Sequence, residues 1–462
     1  MGTLDKLIYN FPEVESPSQK RLSFKEKLKW TFIVLLIFFI LGTIPLFGLG
    51  HNALQQFEYL SLILGAEFGS IISLGIGPIV TASIVLQLLN GSGLVKFDTT
   101  TEQGKRRFHG IQKLLSVFFI IFEAAVYVLM GGLSPPSELA GTSVYLSLEL
   151  LLIFQLFLGG VLILFMDDVT TKWGFGSGVS LFIAAGVSKT IFVRAFNPFP
   201  SPTNPNIATG AIPALFQSLA GGDPITALLM LAAVVSTVVV FVMAVFGQSM
   251  KIEIPLSFGR VRGYGIRWPL AFIYTSNMPV ILVSALFANI QLWARLLQNW
   301  GFPILGTFVG NTPTSGLVAW IHSPNIVGKI ITGAVTFSDF IHAFVYLLLL
   351  ITGCVIFSLF WVQTSGMDAR SQARNIVASG LQIPGFRRDE RVLEHILNRY
   401  IGPLTIMGAI LVGLLAALAD LSGALAHGTG ILLTVMIVYR LYEDIATHHL
   451  YDMNPALRKF IE

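Results

Sequence analysis

Cysteine is nearly absent from this chain: Cys354 is the single one in 462 residues. One cysteine allows neither a disulfide framework nor a cysteine-based metal site, and its place inside an apolar run reads as a small buried or lipid-facing residue. Charge is scarce too. Only 12% of residues are Asp, Glu, Lys or Arg, while 54% are hydrophobic. That balance excludes a soluble domain and points to a polytopic membrane protein. The sequence also lacks a P-loop, a nucleophile motif and paired catalytic carboxylates, so nothing in it reads as an enzyme or calls for a cofactor. GFGSGV (174–179) follows an apolar span rather than a strand, which excludes a phosphate cradle; it reads as close helix approach or a helix start.

What is present is a series of long apolar runs. Ten spans are expected, at Trp30–Leu49, Gly75–Leu89, Leu114–Gly132, Val144–Met166, Gly174–Val193, Ile225–Phe246, Leu270–Trp293, Phe340–Val362, Gly402–Leu421 and Thr429–Ile445. Most reach the roughly 20 residues that a crossing helix needs. The first is too long, with too long a polar leader, to read as a cleaved signal.

Basic residues collect on the cytoplasmic side of membrane proteins. With a cytoplasmic N-terminus, 25 of the 29 basic residues fall inside. Six lie in the leader, five after the second span and one at Lys172. Four lie in the loop 248–269, six in the loop 363–400 and three at the C-terminal end. Dropping the short second span would reverse every later loop, so that span must complete a crossing. Both termini are then cytoplasmic.

The second span is too short to cross alone. It opens Gly75-Ile76-Gly77-Pro78, a break that ends one segment and starts a helix. The preceding stretch 51–72 is interrupted by Gln55, Gln56, Glu58 and Glu67. Backbone of that kind survives at membrane depth only within protein or beside a wet cavity. The alternative is an amphipathic helix lying on the outer surface.

Ten spans split into two sets of five that enter from opposite sides, an architecture of inverted halves. The expected division is 1–196, an external Pro-rich joint at 197–224, and 225–462. No residue-level repeat is evident between the halves. Glu123 lies mid-span, where an ionised carboxylate costs roughly 2.5 to 3.5 kcal/mol, so it must be paired, neutral or facing a wet interior. An ion-coupled solute carrier needs a cluster of such groups, and Glu123 is the one strong candidate. A carrier remains the alternative reading, distinguished by a polar midplane site.

The motifs FPEVESP, SFKEKLKWT, GIGPIVTASIVLQLL, GSGVSLFIAAGVS, IPLSFGRVRG, TSNMPVILVSALFANIQLW and GTGILLTVMIVYR resemble the SecY family, in its archaeal and eukaryotic branch. The resemblance runs nearly end to end, with the motifs in family order. It implies an all-α membrane protein of ten helices in two inverted five-helix halves, with a re-entrant plug in the second span. The function it implies is that of a Sec translocon pore, which passes unfolded secretory polypeptides and releases signal sequences and membrane helices sideways into lipid.

Carried over residue by residue, the resemblance implies a pore ring of Ile76, Val80, Val179, Ile183, Ile281 and Leu433. It implies a plug near 54–64 that includes Leu54, Phe57, Glu58 and Leu60. A lateral gate would contain Thr81, Gln87, Glu123 and Asn289. The ribosome would dock on Arg260, Arg262, Arg267, Arg387, Arg388 and Arg391. Small SecE and Secβ subunits, signal sequences, nascent chains and the lipid bilayer are the further implied partners, and the cell membrane is the implied location.

Overall fold

The computed structural model describes residues 12–18, 22–52, 66–91, 94–95, 102–200, 207–258, 265–310, 312–378, 381–382, 390–426 and 428–453. Small polar side chains start many of its helices, because the first amides of a helix have no intrahelical acceptor. Ser23 accepts the Glu26 amide and opens α1 (Phe24–Thr43). After it come α2 (Gly77–Gly91) and α3 (Glu102–Leu129). Thr142 caps α4 (Ser143–Trp173), which is followed by α5 (Gly178–Phe196) and the short α6 (Ala211–Ala220). Asp223 caps α7 (Pro224–Ser249), accepting the Thr226 amide at 3.2 Å, with Pro224 in the first turn.

The second half continues with α8 (Met278–Asn299), α9 (Gly316–Ile321) and α10 (Ile326–Ile331). A Thr336–Asp339 capping box opens α11 (Phe337–Thr364). The chain then forms α12 (Ala369–Ala378), α13 (Glu390–Leu421) and α14 (Gly428–Met453).

Among the described residues, seven helices are long and apolar enough to cross a membrane: α3, α4, α5, α7, α8, α11 and α13. The remaining three of the ten expected spans are α1, whose first turns are charged, the 15-residue α2, and α14. Several boundaries differ from the sequence reading, among them the third helix, which starts at Glu102 and not Leu114. The first helix stops at Thr43, just before Pro45. The seventh begins at Met278, not Leu270, because Leu270 and Ala271 finish a strand and a turn intervenes. The ninth starts twelve residues before Gly402, on an amphipathic extension.

The described backbone before α2, residues 66–76, is irregular and not helical. It descends through successive tight turns, with Ser70 N to Glu67 O, Ser73 N to Ser70 O and Gly75 N to Ile72 O all near 3.0 Å. Ile71 N also bonds Ile44 O at 3.0 Å, and Leu46 N bonds Gly69 O at 2.9 Å. Backbone groups at this depth are therefore satisfied within protein, the condition for irregular chain inside a membrane. Ile72, Ser73, Leu74 and Ile76 are fully buried, so the chain runs inside the protein there; residues 53–65 of the stretch 51–72 lie outside the described residues. Gly75 adopts φ +56°, a conformation that favours glycine, and this turns the chain into α2. The expected plug residues Leu54, Phe57, Glu58 and Leu60 lie outside the described residues.

The charged regions 248–269 and 363–400, expected as separate loops, form one structure. Strands β1 (His51–Asn52) and β2 (Leu133–Ser134) pair on their own. Then β3 (Lys251–Phe258) and β4 (Gly265–Ala271) make an antiparallel hairpin in the register Lys251 to Ala271 through Ser257 to Gly265. Strands β5 (Phe308–Val309) and β6 (Thr312–Pro313) pair between α8 and α9. Finally β7 (Leu381–Gln382) adds to β3, with Ser257 opposite Gln382. Beneath this sheet a small second core includes Leu270, Tyr274, Ala373 and Leu397.

Residues 13–15 of the leader are stapled to α3 and to the end of α4. Glu13 bridges Lys113 at 3.0 Å and Lys172 at 3.1 Å, and Trp173 Nε1 donates to the Glu15 carbonyl. Burial works to raise the Glu13 carboxyl, but hydrogen bonds and charge from the two lysines outweigh it and hold the group below the usual carboxylate range. A depressed carboxyl stabilises the fold above its ordinary value of 4.5 and loses that contribution as pH falls through the folded value.

Candidate functional site

The predicted ring residues come from four parts of the chain. Ile76 precedes α2 and Val80 lies in its first turn. Val179 and Ile183 open α5, Ile281 lies in the first turn of α8, and Leu433 lies in the second turn of α14. Five of the six are at most 4% exposed. All five belong to the one large apolar cluster of the molecule, with partly buried Val179 packed against it. Burying such a side chain stabilises by roughly 1.5–3 kcal/mol relative to exposure. The six side chains are all aliphatic and offer water no hydrogen bond, the property a dry constriction requires.

Beside this cluster the structure joins three polar side chains from three helices. Asn289 of α8 donates Nδ2–H to Thr81 Oγ1 of α2 at 2.9 Å. The Thr81 hydroxyl lies 3.0 Å from Glu123 Oε1 of α3 and 2.8 Å from the Gly77 carbonyl. One hydroxyl proton faces two acceptors. Glu123 is fully buried, and its Oε2, like Asn289 Oδ1, has no hydrogen-bond partner. Such a network is short of bonds, and membrane hydrogen bonds average only about 0.6 kcal/mol each. It can hold helices together and still open. Gln87, expected in this group, is buried but donates to Ser83 of its own helix at 2.9 Å.

Sequence reasoning missed several groups. Phe122 of α3 meets Trp293 of α8 edge to face, with ring centroids 6.2 Å apart, one residue before Glu123 and one helical turn beyond Asn289. Tyr127, one turn beyond Glu123, is fully buried. The four-residue spacings 123/127 and 289/293 were the available signal. Lys189, which lies within the fifth span, bridges Glu67 at 2.6 Å. It ties α5 to the turns before α2.

Of the docking arginines, Arg260, Arg262, Arg387 and Arg388 lie outside the described residues. Arg267 lies in β4 opposite Pro255, and Arg391 is exposed in the first turn of α13.

Comparison with known proteins follows the same lines. The SecY family profile matches residues 70–442. The protein translocase subunit SecY of Methanothermobacter thermautotrophicus is 46% identical over 454 residues, covering 97% of this chain and 96% of the relative. A solved structure described as showing that the plug domain of the SecY protein stabilises the closed state of the translocation channel and maintains a membrane seal has a TM-score of 0.83 and 41% identity, covering 99% of both chains. Canine Sec61 in a ribosome–channel complex from the endoplasmic reticulum has a TM-score of 0.81 and 40% identity, again covering 99% of both.

Proposed function

This chain belongs to the SecY family and is the pore-forming subunit of a protein-conducting channel, and from that premise we propose which of its parts do what. Ile76, Val80, Val179, Ile183, Ile281 and Leu433 form the waist. Flexible aliphatic side chains yield around a passing polypeptide and dewet when it leaves. The observation that carries this reading is that five of these aliphatic residues, from four separate segments, share one buried apolar cluster with Val179 packed against it.

Thr81, Glu123 and Asn289 form the latch of a lateral exit between α2 and α8, through which signal sequences and membrane helices reach lipid. Gln87 lines the same exit from α2 without joining the latch. Leu54, Phe57, Glu58 and Leu60 belong to a plug that seals the outer side. Residues 1–196 and 225–462 act as two halves hinged at 197–224, clamped by a SecE-like subunit with a Secβ-like subunit alongside. The chain is multi-pass, resides in the cell membrane and keeps both termini in the cytoplasm. Reconstitution with two small single-span partners in vesicles tests the function. A signal-bearing chain made by bound ribosomes should become protected from external protease, and unprotected chains at every lipid composition would overturn the reading.

The ribosome docks on the two basic cytoplasmic regions 248–269 and 363–400, through Arg260, Arg262, Arg267, Arg387, Arg388 and Arg391. Pairing of β3 with β7 supports one surface made from both regions. Arginine forks suit bidentate phosphate contacts. Arg260→Glu and Arg387→Glu should each weaken co-sedimentation with ribosomes, and rising salt should mimic the loss by counterion release. Equal binding by wild type and both variants at every salt would remove these arginines from the interface.

A further inference from the structure

The sequence shows no repeat between the halves, but the structure holds one at the level of a single device. In the first half, Asp167 lies near the end of α4. Its Oδ1 accepts the Val179 amide at 3.0 Å and the Ser177 hydroxyl at 3.4 Å. In the second half, Asp420 lies at the end of α13. Its Oδ1 accepts the Thr429 amide at 2.7 Å, and its Oδ2 accepts the Thr429 hydroxyl and, at 2.6 Å, the Tyr346 hydroxyl. Each aspartate thus caps the helix that follows its own. At α5 the local candidate, Ser177, makes no side-chain cap, so the fourth helix of the half supplies the acceptor that the N-cap residue normally supplies.

A glycine lets each pair of helices close up. A Cβ on Gly178 would stand 2.7 Å from the Asp167 Cα, and one on Gly428 would stand 1.9 Å from the Ala419 carbonyl carbon. Neither position admits a side chain while the helices stay where they are. Counting five residues on from each glycine gives Ile183 and Leu433, one waist residue from each half. Aspartate and glycine are 11 residues apart in the first half and 8 in the second, so alignment by spacing hides the match.

We propose that Asp167 and Asp420 are paired positioning residues, one in each half, that set the height and rotation of α5 and α14 and so bring Ile183 and Leu433 to the constriction. A helix that slips by one residue turns about 100° and moves about 1.5 Å, enough to carry an aliphatic side chain out of a ring. A carboxylate at a helix start also meets the favourable end of the helix dipole, and the low-dielectric surroundings strengthen that bond. The inference rests on the waist reading given above.

The test measures resting ion conductance and thermal stability of the assembled channel in planar bilayers. Asp167→Ala and Asp420→Ala should raise resting conductance at least tenfold. Asp167→Asn retains the acceptor oxygen and should stay as tight as wild type. Asp167→Glu separates positioning from capping energy: it keeps charge and acceptor but lengthens the arm, and it should leak while melting near wild type. It also serves if the alanine variants do not assemble. A quiet Asp167→Glu channel, or alanine variants that lose stability without leaking, would overturn the proposal. A quadruple Ser variant of Ile76, Val80, Ile183 and Ile281 is the control. If it leaks and the aspartate variants do not, only the positioning role fails; if nothing leaks, the waist reading fails.

Discussion

Serine at Ile76, Val80, Ile183 and Ile281 together makes the resting channel conduct ions. Each of these side chains is at most 4% exposed and sits in the shared apolar cluster. Four hydroxyls in that space give water the partners it now lacks, and a constriction that was dry hydrates. The effect should be graded, with single substitutions leaking less than pairs and pairs less than all four. Shortening buried Ile costs roughly 2–5 kcal/mol per site when cut to Ala, so conductance must be read on assembled complex of confirmed melting behaviour. Planar-bilayer recordings decide it. A silent membrane with the quadruple variant present would place the barrier elsewhere.

Asn289→Leu raises the hydrophobicity that a segment needs to enter lipid. The variant removes one bond to Thr81, worth about 0.6 kcal/mol on the membrane average. It also removes Asn289 Oδ1, a buried oxygen without a partner, whose desolvation costs about 1–3 kcal/mol. The second effect is larger, so the closed seam gains. A net change of about 1.4 kcal/mol moves the closed-to-open balance tenfold. A graded series of guest helices, inserted from ribosomes, measures the threshold. If it stays put while stability falls, Asn289 is part of the scaffold and not of the latch.

The two expected effects draw on different levels of information. Ile76, Val80 and Ile183 were legible by motif, and each occurs in an apolar stretch that any membrane helix would carry. Their convergence was not legible, because hydropathy says that a residue avoids water and not which other residue it meets. Glu123 stood out as a mid-span charge whose cost demanded a partner, and it accepts from Thr81, which in turn accepts from Asn289. Gln87 shows the limit of the same reasoning: it is polar and on the right helix, but one turn of α2 supplies Ser83 as a nearer partner. The start of the seventh span was misread at Leu270 because a strand buried over a small core is as apolar as a helix end.

The number of spans and the break before the short second helix follow from the chain alone, and an expected direction with them. Hydropathy and charge sum locally along the sequence, and the bilayer sorts both by simple rules of length and sign. Tertiary structure decided the rest. Thr81 meets Glu123 across 42 residues and Asn289 across 208. β3 finds β7 from a second loop, and two aspartates cap helices that are not their own. Those pairings depend on how close the backbones come, set at Gly178 and Gly428 by the missing side chain, and no local sum along the sequence contains that distance.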